Sequence, residues 1–208
     1  MGLELEFKLA VPQPALLEQI LFDETVTQIR QGEFHLLEMA TVYYDTPDRL
    51  LRQQHWTLRL RQENGRPVAT VKTPAPGRAR GEWSCEARTI EEALESLVRQ
   101  GAPAELLELT CGKALEMVCA ARFTRRAADL VFADGTVCEL AGDIGELWGG
   151  ILREPICELE LELKSGSEGT ACAFTEELMD RFELKEEPRS KFARAAALAE
   201  KSKGVFTE

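Results

Sequence analysis

The chain has 208 residues, of which 44% are hydrophobic and 29% charged, and a formal net charge of −11. That length suits a single domain, 1–208, with a sizeable core. The acid excess argues against a nucleic-acid scaffold, whose affinity rests on a basic surface, and against a protein that binds anionic membranes.

No apolar run is long enough to span a bilayer, and Met1-Gly2-Leu3-Glu4-Leu5-Glu6 lacks the basic-then-apolar pattern of a signal peptide. Six scattered cysteines form no CxxC pair, so reduced thiols in a cytoplasmic protein are expected rather than a disulfide framework. With only His35 and His55, a zinc site built on imidazole is not expected.

In chain order, residues 3–10 alternate charged and apolar side chains, the period of a strand. Residues 12–22 follow with a helical pattern. Residues 25–30 and 33–44 read as strands joined at Gly32. Asp45-Thr46-Pro47-Asp48 is a turn whose Asp45 or Thr46 caps a short helix over 47–52. Residues 57–62 and 68–72, around Asn64-Gly65, predict a hairpin, and 80–88 predict another strand. Thr89 caps a helix over 90–100, with Glu92 at the capping-box position, and 103–113 read as short helix and loop. Strands are predicted at 117–126, 129–132, 136–140 and 154–164, the last the longest alternating run. Helices follow at 168–182 and, C-terminal and Ala-rich, at 190–201.

Gly142 to Gly150 is glycine-rich without the Lys-Ser/Thr of a P-loop and reads as a loop; Gly112-Lys113 fails the same motif. Residues 183–187 read as solvated acid surface. Trp56, Trp83 and Trp148 read as anchors of helix-on-barrel packing rather than as stacking platforms. Eight or more strands, mostly antiparallel, are about enough to close a barrel with a useful interior. The expected fold is therefore α+β, an eight-stranded antiparallel β-barrel or tunnel with helices packed on the outside.

The placement of charge is the informative feature. Glu4, Glu6 and Lys8 share one face of the first strand, opposite Leu3, Leu5, Phe7 and Leu9. Glu158, Glu160, Glu162 and Lys164 alternate with leucines in the same way. Arg59 and Arg61 share a face, as do Thr70 and Lys72, Arg80 and Glu82, and Arg122 and Thr124. Residues i and i+2 on a strand lie about 6–7 Å apart and point the same way. Two such carboxylates can hold one cation or two neighbouring ones, and Arg and Lys at that spacing match successive phosphates.

Solvent explains any one of these faces, because a half-buried antiparallel sheet turns its polar side to water. It explains the set less well. Glu and Lys are depleted in strands, and an all-acid face repels itself. If the apolar faces pack under helices, the charged faces point into the barrel. Oxygen ligands without imidazole then favour Mg²⁺ or Mn²⁺ over zinc, as one or two ions.

At this point the residues resemble a family. Glu4-Leu5-Glu6-Phe7-Lys8 resembles the N-terminal ExExK signature of the CYTH superfamily, the triphosphate tunnel metalloenzymes. The likeness continues through Tyr43-Tyr44-Asp45-Thr46-Pro47, Leu58-Arg59-Leu60-Arg61, Thr70-Val71-Lys72, Arg80-Gly81-Glu82-Trp83, Arg122-Phe123-Thr124-Arg125 and Asp143. It ends with Glu158-Leu159-Glu160-Leu161-Glu162 and Ser190-Lys191. It covers almost the whole chain and is most similar to bacterial inorganic triphosphatases.

The resemblance implies an eight-stranded tunnel and a divalent-metal-dependent triphosphatase. It implies metal ligands at Glu4, Glu6, Glu158, Glu160 and Glu162. It implies a triphosphate clamp of Lys8, Arg59, Arg61, Lys72, Arg122, Arg125 and Lys191, with Arg80 pairing an acid or touching phosphate. Glu82 and Asp143 resemble further acids that orient metal or water, and with Glu4, Glu6 and Lys8 they form the catalytic set. The motif leaves open whether Arg125 or Arg126 faces inward.

The leading expectation is hydrolysis of inorganic triphosphate to diphosphate and phosphate by a monomer or homodimer, with a small-molecule triphosphate as partner. The rivals are hydrolysis of an organic triphosphate such as thiamine triphosphate or a nucleotide, a class IV-type adenylate cyclase, and a non-catalytic polyphosphate-binding module.

Overall fold

The computed structural model describes residues 2–77 and 79–204. Eight strands close into one antiparallel barrel in the order β5-β4-β3-β2-β6-β7-β8-β1, and β1 pairs back onto β5. The strands are β1 (Gly2–Ala10), β2 (His35–Asp45), β3 (Thr57–Glu63), β4 (Arg66–Pro74), β5 (Arg80–Glu86), β6 (Glu116–Val131), β7 (Val137–Gly149) and β8 (Leu152–Ser165). A two-residue strand, β9 (Lys185–Glu186), pairs with the end of β1. The helices are α1 (Pro14–Leu21), α2 (Glu24–Thr27), α3 (Leu50–Gln53), α4 (Ile90–Arg99), α5 (Glu105–Thr110), α6 (Glu168–Phe182) and α7 (Lys191–Gly204). None of the described helices is long and apolar enough to cross a membrane.

The alternation in the sequence sets which face looks outward. On β1, Phe7 and Leu9 turn out and pack with Leu17, Ile20 and Leu21 of α1 and with Phe174 and Leu178 of α6. On the opposite wall, Leu58, Val71, Trp83 and Cys85 turn out against Ile90, Ala93 and Leu97 of α4 and Leu106 of α5. Each fully buried Leu, Ile or Phe contributes about 1.5–3 kcal/mol relative to exposure. These two layers thus commit the charged faces to the interior.

The helices pack on the outside, and α7 in addition reaches inward. Its Ala195, Ala196 and Leu198 join a cluster with Phe123, Ala121, Leu147 and Ile156. Those four belong to the inward-facing parity of β6, β7 and β8, so α7 fills that end of the barrel. Gly149 permits the close approach, since a Cβ there would overlap the backbone nitrogen of Ala199.

Local chemistry explains several element ends. Asn64 and Gly65 both take positive φ at the β3–β4 turn. The Thr89 side chain accepts from Glu92 N at 3.3 Å to start α4. Asp45 accepts from Thr46 N, Leu51 N and Arg52 N, which fastens α3 to the end of β2.

Four sequence readings of the fold are corrected. Residues 25–30, β-branched and read as a strand, contain helix α2 instead, because Asp23 accepts from Thr25 N at 3.0 Å and caps it. The predicted strands at 117–126 and 129–132 are one continuous β6. The supposed glycine loop 142–150 lies mostly within β7. Its glycines mark close packing: a Cβ on Gly145 would overlap Arg122 O and Phe123 on the neighbouring strand. The acidic run 183–187 is not wholly solvated either, since it supplies β9, and Glu187 pairs with Arg189 at 2.8 Å.

Candidate active site

A cavity of about 1000 Å³ occupies the barrel interior. Every barrel strand except β2 supplies charge to it. Its acids include Glu4 and Glu6 of β1, Glu82 of β5, and Glu160 and Glu162 of β8. Its bases include Lys8, Arg59, Arg61, Lys72, Arg80 and Arg125, with Lys191 from the start of α7.

The charges fall into two groups. In the first, Lys72 Nζ donates to Glu4 at 2.7 Å and meets Glu82 at 2.9 Å, while Arg59 approaches Glu82 at 3.7 Å. Burial, opposed by Lys72 and reinforced by the neighbouring Glu82 and Glu6, pushes Glu4 up to about 8. Burial would also raise Glu82, but Lys72 and Arg59 take it down to about 2. Burial and the nearby cations thus push the two neighbouring carboxyls in opposite directions.

In the second group, Lys191 Nζ meets Asp143 and Glu160 at 2.7 Å each and contacts Glu158. Arg125 grips Asp143 with two bonds, at 2.8 and 2.7 Å, and also touches Glu160. Lys8 lies 3.2 Å from Glu6 and 3.7 Å from Glu160. Burial alone would raise Glu160, but Lys191, Arg125 and Lys8 hold it well below the usual carboxylate range. Burial, although partly offset by Lys191, raises Glu158.

Arg61 completes the interior. It is 6% exposed, donates to Thr41 Oγ1 at 3.1 Å and has Glu63 at 3.5 Å. Burial, then the like charges of Arg59 and Arg125, lower it to about 10. Phe123 forms a floor beneath three cations, with Arg61 and Arg125 each 5.8 Å and Lys191 4.9 Å from its ring centre. Arg59 Nε is buried without a hydrogen-bond partner. A buried guanidinium nitrogen left open beside other cations is suited to an anionic oxygen.

The structure brings together all but one of the residues that the sequence singled out. The exception is Arg122, which is exposed on the outer face of β6 with Thr124, whose hydroxyl donates to Glu38. Strand parity is the reason: Phe123 and Arg125 point inward, so Arg122 points outward. The same parity resolves the adjacent pair. Arg125 is inside, and Arg126 reaches Glu18 on α1 outside.

Arg80 is exposed and lines the rim. Asp143 and Glu158, 0% and 1% exposed, lie beneath Lys191 rather than on the cavity surface. The three tryptophans are absent from the lining. Trp83 packs with α4, and Trp148 lies 4.3 Å beneath Arg153.

Sequence reasoning missed Thr41, Phe123 and Arg194. Phe123 was legible from its parity with Arg125. Thr41 and Arg194 carry no pattern of their own.

The carboxylates also fit a hard divalent cation. Asp143, Glu158 and Glu160 each place an oxygen within 4.8 Å of the others, a cation-sized spacing that the Lys191 ammonium fills, and the acids on the cavity surface offer the same kind of donor. Glu4 and Glu82, both beside Lys72, form a second group of clustered carboxylates. All these donors are oxygens, as Mg²⁺-type ions prefer.

A closed barrel whose inner wall sets acids beside bases defines a charged tunnel. The CYTH domain model matches residues 2–196, and the chain belongs to that family. It is 31% identical over 181 residues to an inorganic triphosphatase of Haemophilus influenzae. That match takes in 84% of this chain and 49% of the relative, so the chain spans about half the length of the curated protein it matches.

Solved structures share the fold at lower identity. A candidate adenylyl cyclase from Hippeastrum, described as having a dominant triphosphatase activity, matches with a TM-score of 0.59 at 16% identity, covering 93% of this chain and 95% of its own. A candidate adenylate cyclase from Bacillus halodurans gives 0.57 at 21%, covering 91% and 94%. The PH1819 protein of Pyrococcus horikoshii gives 0.56 at 20%, covering 95% and 99%.

Proposed function

We propose that this chain hydrolyses inorganic triphosphate to diphosphate and phosphate with the help of Mg²⁺ or Mn²⁺. The observation that carries the reading is the convergence of Lys8, Arg59, Arg61, Lys72, Arg125 and Lys191 on one cavity that Glu4, Glu6, Glu82, Glu160 and Glu162 also line. Six fixed cations exceed the need of a mono- or diphosphate and suit a chain of three. The likeness to the Haemophilus triphosphatase supports the same substrate.

In this reading Arg59, Arg61 and Arg125 take phosphate oxygens as forks, and Lys8, Lys72 and Lys191 take them as point charges. Because these groups are held by strands and by one another, little reorganisation is needed as charge develops on the transferring phosphoryl group. Glu4, Glu6, Glu82, Glu160 and Glu162 would hold the metal on the cavity surface, and Asp143 and Glu158 would fix Arg125 and Lys191 from behind. A bound divalent ion supplies neutralisation of phosphate charge and a more acidic water.

A second reading, an organic triphosphate, draws on the volume of the cavity, which lies at the upper end of the range for small-molecule sites. Tyr43, His55 and Phe192 line the wall and could receive a base or a thiazole, although no tryptophan does.

The test offers tripolyphosphate, thiamine triphosphate and ATP with and without Mg²⁺ or Mn²⁺, and identifies products. Release of diphosphate and phosphate from tripolyphosphate, fastest of the three, is expected. Cyclic AMP from ATP, or tight binding without turnover of any of them, would overturn the reading.

A further inference from the structure

Arg194 lies one helical turn beyond Lys191 on α7, and the two side chains hold opposite oxygens of one carboxylate. Lys191 Nζ contacts Glu158 Oε1, and Arg194 Nη1 donates to Glu158 Oε2 at 2.9 Å. Arg194 Nε also donates to Glu154 at 3.0 Å. Glu158 is 1% exposed. Lys191 lines the cavity and Arg194 does not. Only one of Glu158's two cations can therefore reach a ligand.

That asymmetry has an energetic meaning. A buried carboxylate stripped of its cation is strongly destabilised, so it resists giving one up. If Lys191 turns from the acids toward a phosphate oxygen, Glu158 keeps a partner because Arg194 is still attached. Without Arg194, Glu158 depends on Lys191 alone and competes with the ligand for it.

We propose that Arg194 is a positioning residue that satisfies Glu158 from behind the cavity wall and so releases the Lys191 ammonium to bind an anionic ligand. The proposal rests on the triphosphate reading of the cavity.

The test is calorimetric binding of tripolyphosphate to the whole chain in the presence of a metal chelator, so that turnover plays no part. Arg194→Met should weaken binding about tenfold, the scale of one charge-assisted hydrogen bond. Arg194→Lys, which keeps the charge, should recover most of the loss. In the double variant Glu158→Gln/Arg194→Met the competing charge is gone, and affinity should return close to that of the native chain.

Glu154→Gln is the control, because it breaks Arg194's other ion pair to β8 without touching Glu158. It should lower the melting temperature and leave Kd unchanged. An unchanged Kd in Arg194→Met with a lowered melting temperature would reduce Arg194 to a tether. So would a Glu154→Gln variant that binds as weakly as Arg194→Met. A native chain that binds no tripolyphosphate overturns the triphosphate reading and this one together. A native chain that binds it without turnover, and shows the Kd pattern above, supports the role of Arg194 and overturns only the hydrolase reading.

Discussion

The Lys191 ammonium stands 2.7 Å from a carboxylate oxygen of Glu160, so the first residue of α7 is bonded into the middle of β8. It is also shared with Asp143 and Glu158, and all three acids are buried. Removing the ammonium would strand buried negative charge. Lys191→Met should therefore cost about 3–5 kcal/mol of stability at neutral pH. It should also lower kcat/KM for tripolyphosphate by more than about 100-fold. Urea unfolding and steady-state kinetics on one preparation check both; a variant as stable as the native chain would contradict the burial argument.

The acids on the cavity surface make a separate prediction. Glu6→Gln and Glu160→Gln keep the shape of the side chain and remove its charge. Each should reduce metal-stimulated hydrolysis by about 100-fold or more while leaving the far-ultraviolet circular dichroism unchanged. Chelation of the native chain should inactivate it, with activity returning on addition of Mg²⁺ or Mn²⁺. Rates within a few-fold of native for either variant would remove these carboxylates from the chemistry.

Strand parity on β6 predicts opposite outcomes for two nearby arginines. Arg125 bonds Asp143 and Glu160 inside the barrel, whereas Arg122 is exposed outside it. Arg125→Met should lower kcat/KM by about 100-fold, the usual scale for one lost transition-state donor. Arg122→Met should stay within about threefold of native and within about 0.5 kcal/mol in stability, as surface substitutions do. Equal losses would mean that the parity is wrong.

The thiols give a test of the packing that is independent of activity. Cys111 is exposed, whereas Cys85, Cys119 and Cys138 are buried. Burial pushes Cys119 up to about 12 and Cys138 to about 11. Thiolate is the reactive form, so at pH 8 a disulfide reagent should modify Cys111 in a fast phase and reach those three only on unfolding. Cys111→Ser should remove the fast phase. Rapid modification of Cys119 in the folded chain would count against the α7 packing beside it.

The barrel was legible because its signals are local. Period-2 alternation at β1, β3 and β8 set both the strands and their charged faces, and Asn64-Gly65 marked the hairpin. What stayed hidden depends on tertiary contact. Val26 and Thr27 favour a strand by propensity, but the Asp23 cap decides for helix. Gly142 and Gly145 look like loop residues until the neighbouring strand and α1 press on them. Arg122 and Arg125 are equally basic, and only the phase of β6 separates them. Asp143 and Glu158 were found as acids, but their position beneath Lys191 follows from α7, whose docking leaves no periodic trace in the sequence.

The seam of the barrel has a consequence for how the molecule comes into being. Strand β1 precedes the other barrel strands, yet Leu9 pairs with Leu159, and among the described residues its other barrel partner, β5, meets it in a short register from Gly2 to Glu4. A growing chain therefore carries an unzipped first strand, with Phe7 and Leu9 uncovered, until β8 has emerged. Pairings this distant close slowly, and an open edge invites other chains meanwhile. Glu4 and Glu6 lie on the first barrel strand of the chain and Glu160 and Glu162 on the last, so no fragment that stops short of β8 can assemble the cavity.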